Sequence, residues 1–386
     1  MNLSEQMAMC IQSARNWTSD RTKAKFGDDS PAQRVLKRRF KPSELEELVG
    51  VTRESVYKAE KAGRLPQPDY KNPEADHPIR LGYTLAQIDH IRDVFGTQPY
   101  RPNDSEPVVV SVAGGKGGSW KTSTTAHFAQ WLALKGYRVG VVDIDPQAHL
   151  SMYFGYHPEL NTTADDTVLN FMLGHSDSLK GNLKDTAWHK IKIIPSHLQM
   201  QRLEREIVDA DIPYQAHQML YAGIQTFSSD FDVVIIDGHP DLGMGTMNMI
   251  AASDAVLVAT STEINDINST CQLMGLIQEM YTPGSGLDIT HEPIVRVLPT
   301  KIGDRTSSSY RNLKDMRQFW GGWVLSKESR FTDEVGKGQR RMATIYEQAD
   351  ASERSTPKAW KRATDAFDDV FSEILDSLVK PLWENE

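Results

Sequence analysis

The chain has 386 residues, 39% of them hydrophobic, enough for two or three domains with packed cores. No run approaches the roughly 20 apolar residues of a membrane span, the start carries Glu5 and no signal-peptide core, and Cys10 and Cys271 are too few for a disulfide framework or a zinc cluster; a cytoplasmic location is expected. The net charge of −9 is uneven, because residues 1–100 hold 16 Lys and Arg against 14 Asp and Glu, and Arg34–Arg64 alone holds 9 against 5. That local patch suits DNA phosphates, and on charge alone it also suits a solvated helix surface.

Residues 1–33 carry a weak helical pattern (Leu3, Met7, Cys10, Ile11, Ala14), which fits either a helix packed on another subunit or a frayed arm. In 34–96, Ser43 with Glu46 reads as a capping box for a short helix and Gly50 as a turn. Thr52 then caps a second helix that stops at Gly63. The pair reads as a helix-turn-helix whose second helix presents Arg53, Ser55, Tyr57, Lys58 and Lys61 to DNA, a structural helical hairpin being the alternative. Ile79–Tyr83 reads as a β-wing, and Thr84 caps a return helix with Leu85, Ile88, Ile91, Val94 and Phe95 on one face. Residues 97–106, rich in Pro and polar side chains, read as a linker.

From Pro107 to the end, 107–386, strand and helix patterns alternate, which predicts an α/β fold with a mostly parallel sheet covered by helices on both faces. An apolar run to Val112 leads into Gly114-Gly115-Lys116-Gly117-Gly118-Ser119-Trp120-Lys121-Thr122-Ser123 and then a helix. A β-branched run, a glycine-rich loop and a helix start aim N–H groups at one place, a cradle for phosphate. Lys121 would place its charge on the β- and γ-phosphates and the Thr122 hydroxyl would reach Mg²⁺. The common pattern has a second glycine where this chain has Trp120.

Further on, Tyr137–Ile144 is a buried strand that brings Asp143 and Asp145 to its carboxyl end, ahead of Pro146-Gln147, and Phe231–Ile236 is another that ends at Asp237. Carboxylates there face the ligand crevice of an open α/β sheet. More strands are expected at Ile191–Pro195, Ala255–Thr260 and Pro293–Thr300. Near the end, Lys337, Arg340 and Arg341 form a basic cluster beside a glycine hinge at Gly336, readable as DNA contacts or as a solvated loop and helix start. Thr356-Pro357 opens a long helix whose stripe of Trp360, Phe367, Val370, Phe371, Ile374, Leu375 and Leu378 reads as core.

Two resemblances attach to these residues. The helix-turn-helix, wing and return helix resemble the winged domain of MerR-type regulators. Lys116-Gly117-Gly118-x-x-Lys121-Thr122 resembles the deviant P-loop of the ParA/MinD ATPases, with Asp143-x-Asp145-Pro146-Gln147 and a Walker-B strand at Asp237 in support. His239 departs from that family's usual Walker-B continuation and is given no role. Over nearly the whole chain the sequence resembles the large ParA plasmid-partition ATPases with an N-terminal helix-turn-helix, closest to the SopA branch. Ala59–Pro66, Arg92–Thr97 and Asp333–Gln339 carry that likeness.

The resemblance implies an ATPase using ATP/ADP and Mg²⁺, weak alone and stimulated by DNA and partner. Lys116 would reach the phosphates of a homodimer partner. Asp145 would orient and activate the attacking water, Asp143 would stand near the metal, Asp237 would hold Mg²⁺, and Thr300–Gly303 would border the adenine. It also implies a ParB/SopB-type centromere-binding partner, operator DNA for autoregulation, non-specific nucleoid DNA in the ATP state and no membrane. The acidic tail (Asp365, Asp368, Asp369, Glu373, Asp376) agrees with that last point, since an anionic membrane would repel it. A nucleotide-responsive transcriptional repressor without a segregation role is the alternative, and Asp145 speaks against it. A reductase of the nitrogenase iron-protein kind would need cluster thiolates that two distant cysteines do not supply.

Overall fold

The computed structural model describes residues 3–26, 33–102, 105–210, 212, 214–289, 291–304, 307–348 and 351–384. Seven strands build one sheet: β1 Val108–Ala113, β2 Val139–Asp143, β3 Lys184–Asp185, β4 Ile191–Ile194, β5 Val233–Asp237, β6 Ala255–Thr260 and β7 Ile294–Pro299, in the order β3-β4-β2-β5-β1-β6-β7. Every pairing is parallel except β3 with β4. The central strands are buried along their whole length, which is why they read as unbroken apolar runs rather than as alternating ones.

Alternate side chains feed two cores. Val108, Val110, Val112, Val141 and Ile235 join one, with Phe128 and Leu132 of the P-loop helix and Phe367, Phe371, Ile374 and Leu378 of the carboxyl-terminal helix. Val109, Val142, Val234, Ile236 and Val258 join the other. Burying Phe371, Ile374 and Leu378 is worth about 1.5–3 kcal/mol each, so the terminal stripe is core, as its spacing predicts. The helix that carries it, Pro357–Ile374, is capped by Thr356 and passes through a π turn at Leu375–Val379 before its last segment, Lys380–Glu384. Among the described residues no helix is long and apolar enough to cross a membrane.

The amino-terminal helices are α1 Leu3–Phe26, α2 Leu45–Val49, α3 Arg53–Lys61 and α4 Leu85–Phe95. The expected Ser43–Glu46 box does not form; a 3₁₀ turn at Pro42–Glu44 precedes α2, and the Lys41 amide donates to the Glu44 carboxylate instead. Pro42 explains this, since it is favoured in a first turn and starts the helical path two residues earlier, with Lys41 rather than Ser43 at the cap position. Gly50 closes α2 at φ 71°, Thr52 caps α3 and Thr84 caps α4 with Gln87, all as expected. The wing is two antiparallel bridges, Tyr70 with Arg80 and Phe40 with Tyr83.

This winged unit shares the core of the sheet's helix face: Phe40, Leu45, Val56 and Ile88 belong to the same buried cluster as Phe128 and Leu132. Gln98 and Arg101 bond to the larger unit, Gln98 donating to the Gly136 carbonyl at 2.7 Å and Arg101 to the Ser229 carbonyl at 3.3 Å.

Candidate nucleotide and DNA sites

The P-loop runs from the end of β1 into α5, Lys121–Lys135. Gly115 abuts the helix Ile264–Tyr281 so closely that a Cβ would stand 2.1 Å from the Ser269 carbonyl oxygen; no other residue fits. Trp120 takes the left-handed conformation, φ 66°, that a glycine would adopt freely. That costs a non-glycine residue about 1–2 kcal/mol, and the indole stacks on Phe331 at 6.0 Å and 22° in partial compensation. Ser119 is buried with its carbonyl held by Thr300 and its hydroxyl unpaired among the described residues.

Register brings the acids together. β2 lies beside β5 with Asp143 directly opposite Asp237. Thr122, the first residue past Lys121, donates to Asp237 Oδ2 at 2.7 Å, and Thr125, one turn further along α5, donates to Asp237 Oδ1 at 3.2 Å. Burial pushes the Asp237 carboxyl up to about 7 against the pull of these hydroxyls and of Lys121. A hydroxyl and a carboxylate at this spacing are the hard oxygen donors that Mg²⁺ prefers. Lys121 is 6% exposed and burial lowers its pKa, while Asp237, Asp145 and Asp241 act to keep it charged.

Asp143 faces inward rather than into the crevice. Its Oδ1 accepts from the Asp145 amide at 3.1 Å and its Oδ2 from the Ser151 amide and hydroxyl at 2.8 and 2.7 Å. Burial and the neighbouring Asp237 raise its pKa well above the carboxylate range. Asp145, just past the strand, accepts from the Gln147 amide at 2.8 Å through Oδ1. Ser123 turns toward His127, 3.5 Å away on its own helix. Lys116 is half exposed and pairs with Asp266 of its own chain at 2.9 Å, and the Ser261 hydroxyl steadies that carboxylate. His239 sits at the exposed edge beside Asp241.

The DNA candidates divide. Arg53, Lys58 and Lys61 are exposed along α3. Ser55 spends its hydroxyl on the Thr52 cap at 2.9 Å, and Tyr57 lies under the Arg80 guanidinium, 4.0 Å from its ring centre. Arg80 in turn clamps the buried Glu60, so these side chains fasten the wing to α3. Lys337, Arg340 and Arg341 are all exposed, but Gly336 is no hinge: it lies inside the helix Asp333–Gln339, which the Thr332 cap starts. Arg341 pairs with Glu353 at 3.4 Å, and Arg21 of α1 donates to the Arg340 carbonyl at 2.8 Å.

Sequence reasoning missed Thr125, Ser151, Asp266 and Phe331. Thr125 was findable, four residues after Lys121 on the same helix face; the other three reach the site from distant positions without a local signature.

A family model described as an AAA domain matches residues 108–286. Protein SopA of Escherichia coli (strain K12) is 41% identical over 391 residues, covering 100% of both chains. A putative replication protein A of Rhizobium rhizogenes is 28% identical and covers 90% of this chain and 88% of its own. Among solved structures, one described as a partition protein superposes with a TM-score of 0.66 at 17% identity, over 97% of this chain and 98% of that one, a likeness of fold. Full-length identity at this level, on a chain whose P-loop, acidic strand ends and winged unit are assembled as described, makes it a member of the ParA family of plasmid-partition ATPases, of the SopA type.

Proposed function

We propose that the chain hydrolyses ATP with Mg²⁺ as a homodimer, weakly alone and faster with DNA and a ParB/SopB-type centromere-binding partner. In this reading it coats nucleoid DNA non-specifically in its ATP state and represses its own operon through the winged unit. The proposed division is an arm, 1–33, a winged helix-turn-helix, 34–96, a connecting stretch, 97–106, and the ATPase, 107–386. One observation carries the proposal: Lys121, Thr122, Asp145 and Asp237 converge at the carboxyl edge of the sheet beside the glycine loop. Gly114–Ser123 would line the phosphates, and Thr122 with Asp237 would hold the metal, which neutralises charge on the phosphate oxygens. Asp143 then serves by fixing the Asp145 amide.

The test is ATP turnover measured alone, with DNA, and with DNA plus the centromere-binding partner. A rise at each addition is expected. Turnover that neither addition changes would overturn the partition reading.

Lys116 separates the dimer from the monomer. Its cation is tied to Asp266 outside the same subunit's Lys121 pocket, so Lys116→Ala should leave ADP affinity within about threefold while ATP-dependent dimers disappear in sedimentation. Loss of ADP binding would refute the cross-subunit role.

The basic cluster is tested by salt. Each phosphate neutralised contributes about 0.9 to the log–log slope of affinity against salt. Replacing Lys337, Arg340 and Arg341 by Ala should therefore flatten the slope for random-sequence DNA in the ATP state by up to that amount per residue and subunit. Arg341 should give least, because Glu353 already neutralises part of its charge. An unchanged slope would move non-specific contact to α3, where Arg53, Lys58 and Lys61 stand exposed.

A further inference from the structure

Lys116 divides its main chain and its side chain between two places. Its carbonyl accepts from the Lys121 ammonium at 3.4 Å, so the backbone belongs to the phosphate pocket of its own subunit. Its own ammonium turns away and meets Asp266 Oδ1 at 2.9 Å, in the first turn of the helix Ile264–Tyr281. The loop beside it is seated on that same helix, because Gly115 leaves no room for a Cβ against the Ser269 carbonyl, and Ser269 lies about one turn beyond Asp266. The tie therefore closes over a backbone that is already fixed, and only side-chain torsions of the lysine have to change for it to open.

The two ends of the pair are unequal. The Asp266 side chain is 12% exposed and the Lys116 side chain 49%. Asp266 Oδ2 accepts from the Ser261 hydroxyl at 2.6 Å, and Ser261 Oγ in turn accepts from the Glu263 amide at 3.2 Å. Lys301, just past β7, also acts on the carboxylate through space. When the ammonium leaves, the carboxylate keeps a hydrogen bond and a neighbouring cation, so the departure does not strand a buried charge. What is given up is a half-exposed ion pair, worth a factor of about 1.4 to 5 in an equilibrium constant. A symmetric dimer opens two such pairs and squares that factor, to about 2 to 30.

We propose that Asp266 is a positioning residue for Lys116, an intramolecular tie that holds the monomer back from the ATP-dependent dimer. This rests on the reading that Lys116 reaches the phosphates of the partner subunit. Each subunit has to open its pair before the ammonium can cross, so the tie raises the protein concentration at which dimers form. Asparagine at 266 keeps the bond from Ser261 through its carbonyl oxygen and drops the charge that holds the lysine. Ser261→Ala does the converse: the charge stays and its anchor is lost.

The experiment reads the dimer dissociation constant of the full-length protein by sedimentation, with Mg²⁺ and a non-hydrolysable ATP analogue and without DNA. Asp266→Asn should lower it by about 2- to 30-fold, and Ser261→Ala should lower it by less. ADP affinity should stay within about threefold of wild type in both. The direction separates a tie from a scaffold, since replacing a residue that merely supports the fold weakens assembly, whereas releasing this one strengthens it. A gain under about twofold in Asp266→Asn, or a loss, overturns the proposal. A gain in Asp266→Asn with none in Ser261→Ala overturns it too, because the effect then belongs to repulsion between the Asp266 charge and the partner's phosphates. Lys116→Ala keeps this inference apart from the reading beneath it. If that variant dimerises like the wild type, the cross-subunit role fails and the tie with it; if it does not dimerise while Asp266→Asn gains nothing, the tie alone fails. Should Asp266→Asn not fold, Ser261→Ala decides: tighter dimers support the tie and unchanged ones overturn it.

Discussion

Lys121→Ala is expected to abolish ATP binding at any concentration at which the wild type saturates. Lys121 is 6% exposed, and its ammonium feels the charges of Asp237, Asp145 and Asp241 at the glycine loop. A hydrogen bond to a charged group contributes about 1.5–3 kcal/mol, and contacts to two phosphates would together be worth about 3–6 kcal/mol, or between about a hundred- and twenty-thousand-fold in affinity. The loss has a second part, because alanine leaves the carboxylates uncompensated and turns the pocket repulsive toward a polyphosphate. Lys116 cannot take over, since it is drawn to Asp266. Titration calorimetry with ATP and ADP reads the result directly. Affinity within about threefold of wild type would remove the phosphate assignment from this loop.

The acidic strand ends were legible because physics puts them in the sequence. A parallel sheet covered on both faces needs unbroken apolar strands, so a carboxylate that ends such a run is conspicuous, as Asp143 and Asp237 are. Register, however, is a property of two strands. Nothing local says that Asp143 and Asp237 stand opposite one another, or that the first turns to Ser151 while the second faces Thr122. The same holds for α3. Its caps and its exposed cations follow from spacing, but Tyr57 is covered by Arg80, a residue of the wing that lies 23 positions away. Gly336 misled for the converse reason: glycine weakens a helix by only about 1 kcal/mol, and the Thr332 cap with Val335 buried outweighs it. Stretch 97–106 has a linker's composition, and the bonds that Gln98 and Arg101 make to distant carbonyls are contacts that composition does not encode.

Asp145→Asn should bind ATP as the wild type does and hydrolyse it slower by about 10²- to 10⁴-fold, the range for losing a positioned proton acceptor. The carboxylate lies beyond the strand, 7% exposed, with Oδ1 tied to the Gln147 amide and Oδ2 without a hydrogen bond among the described residues. It acts on Lys121 only through space and bonds neither to the glycine loop nor to Thr122, so binding should survive its neutralisation. Asparagine keeps the bond to the Gln147 amide through its carbonyl oxygen, and the turn therefore stays folded. Its amide group is no proton acceptor and presents a donor where the attacking water needs an acceptor. Asp143→Asn offers the contrasting case. That side chain receives the Asp145 amide and both groups of Ser151, and an amide nitrogen in place of Oδ2 would face two donors. The expected consequence is lost stability along with lost turnover. A thermal melt run beside single-turnover hydrolysis separates the two: Asp145→Asn should melt like the wild type. Hydrolysis by Asp145→Asn within about threefold of wild type would assign activation of the water to another group.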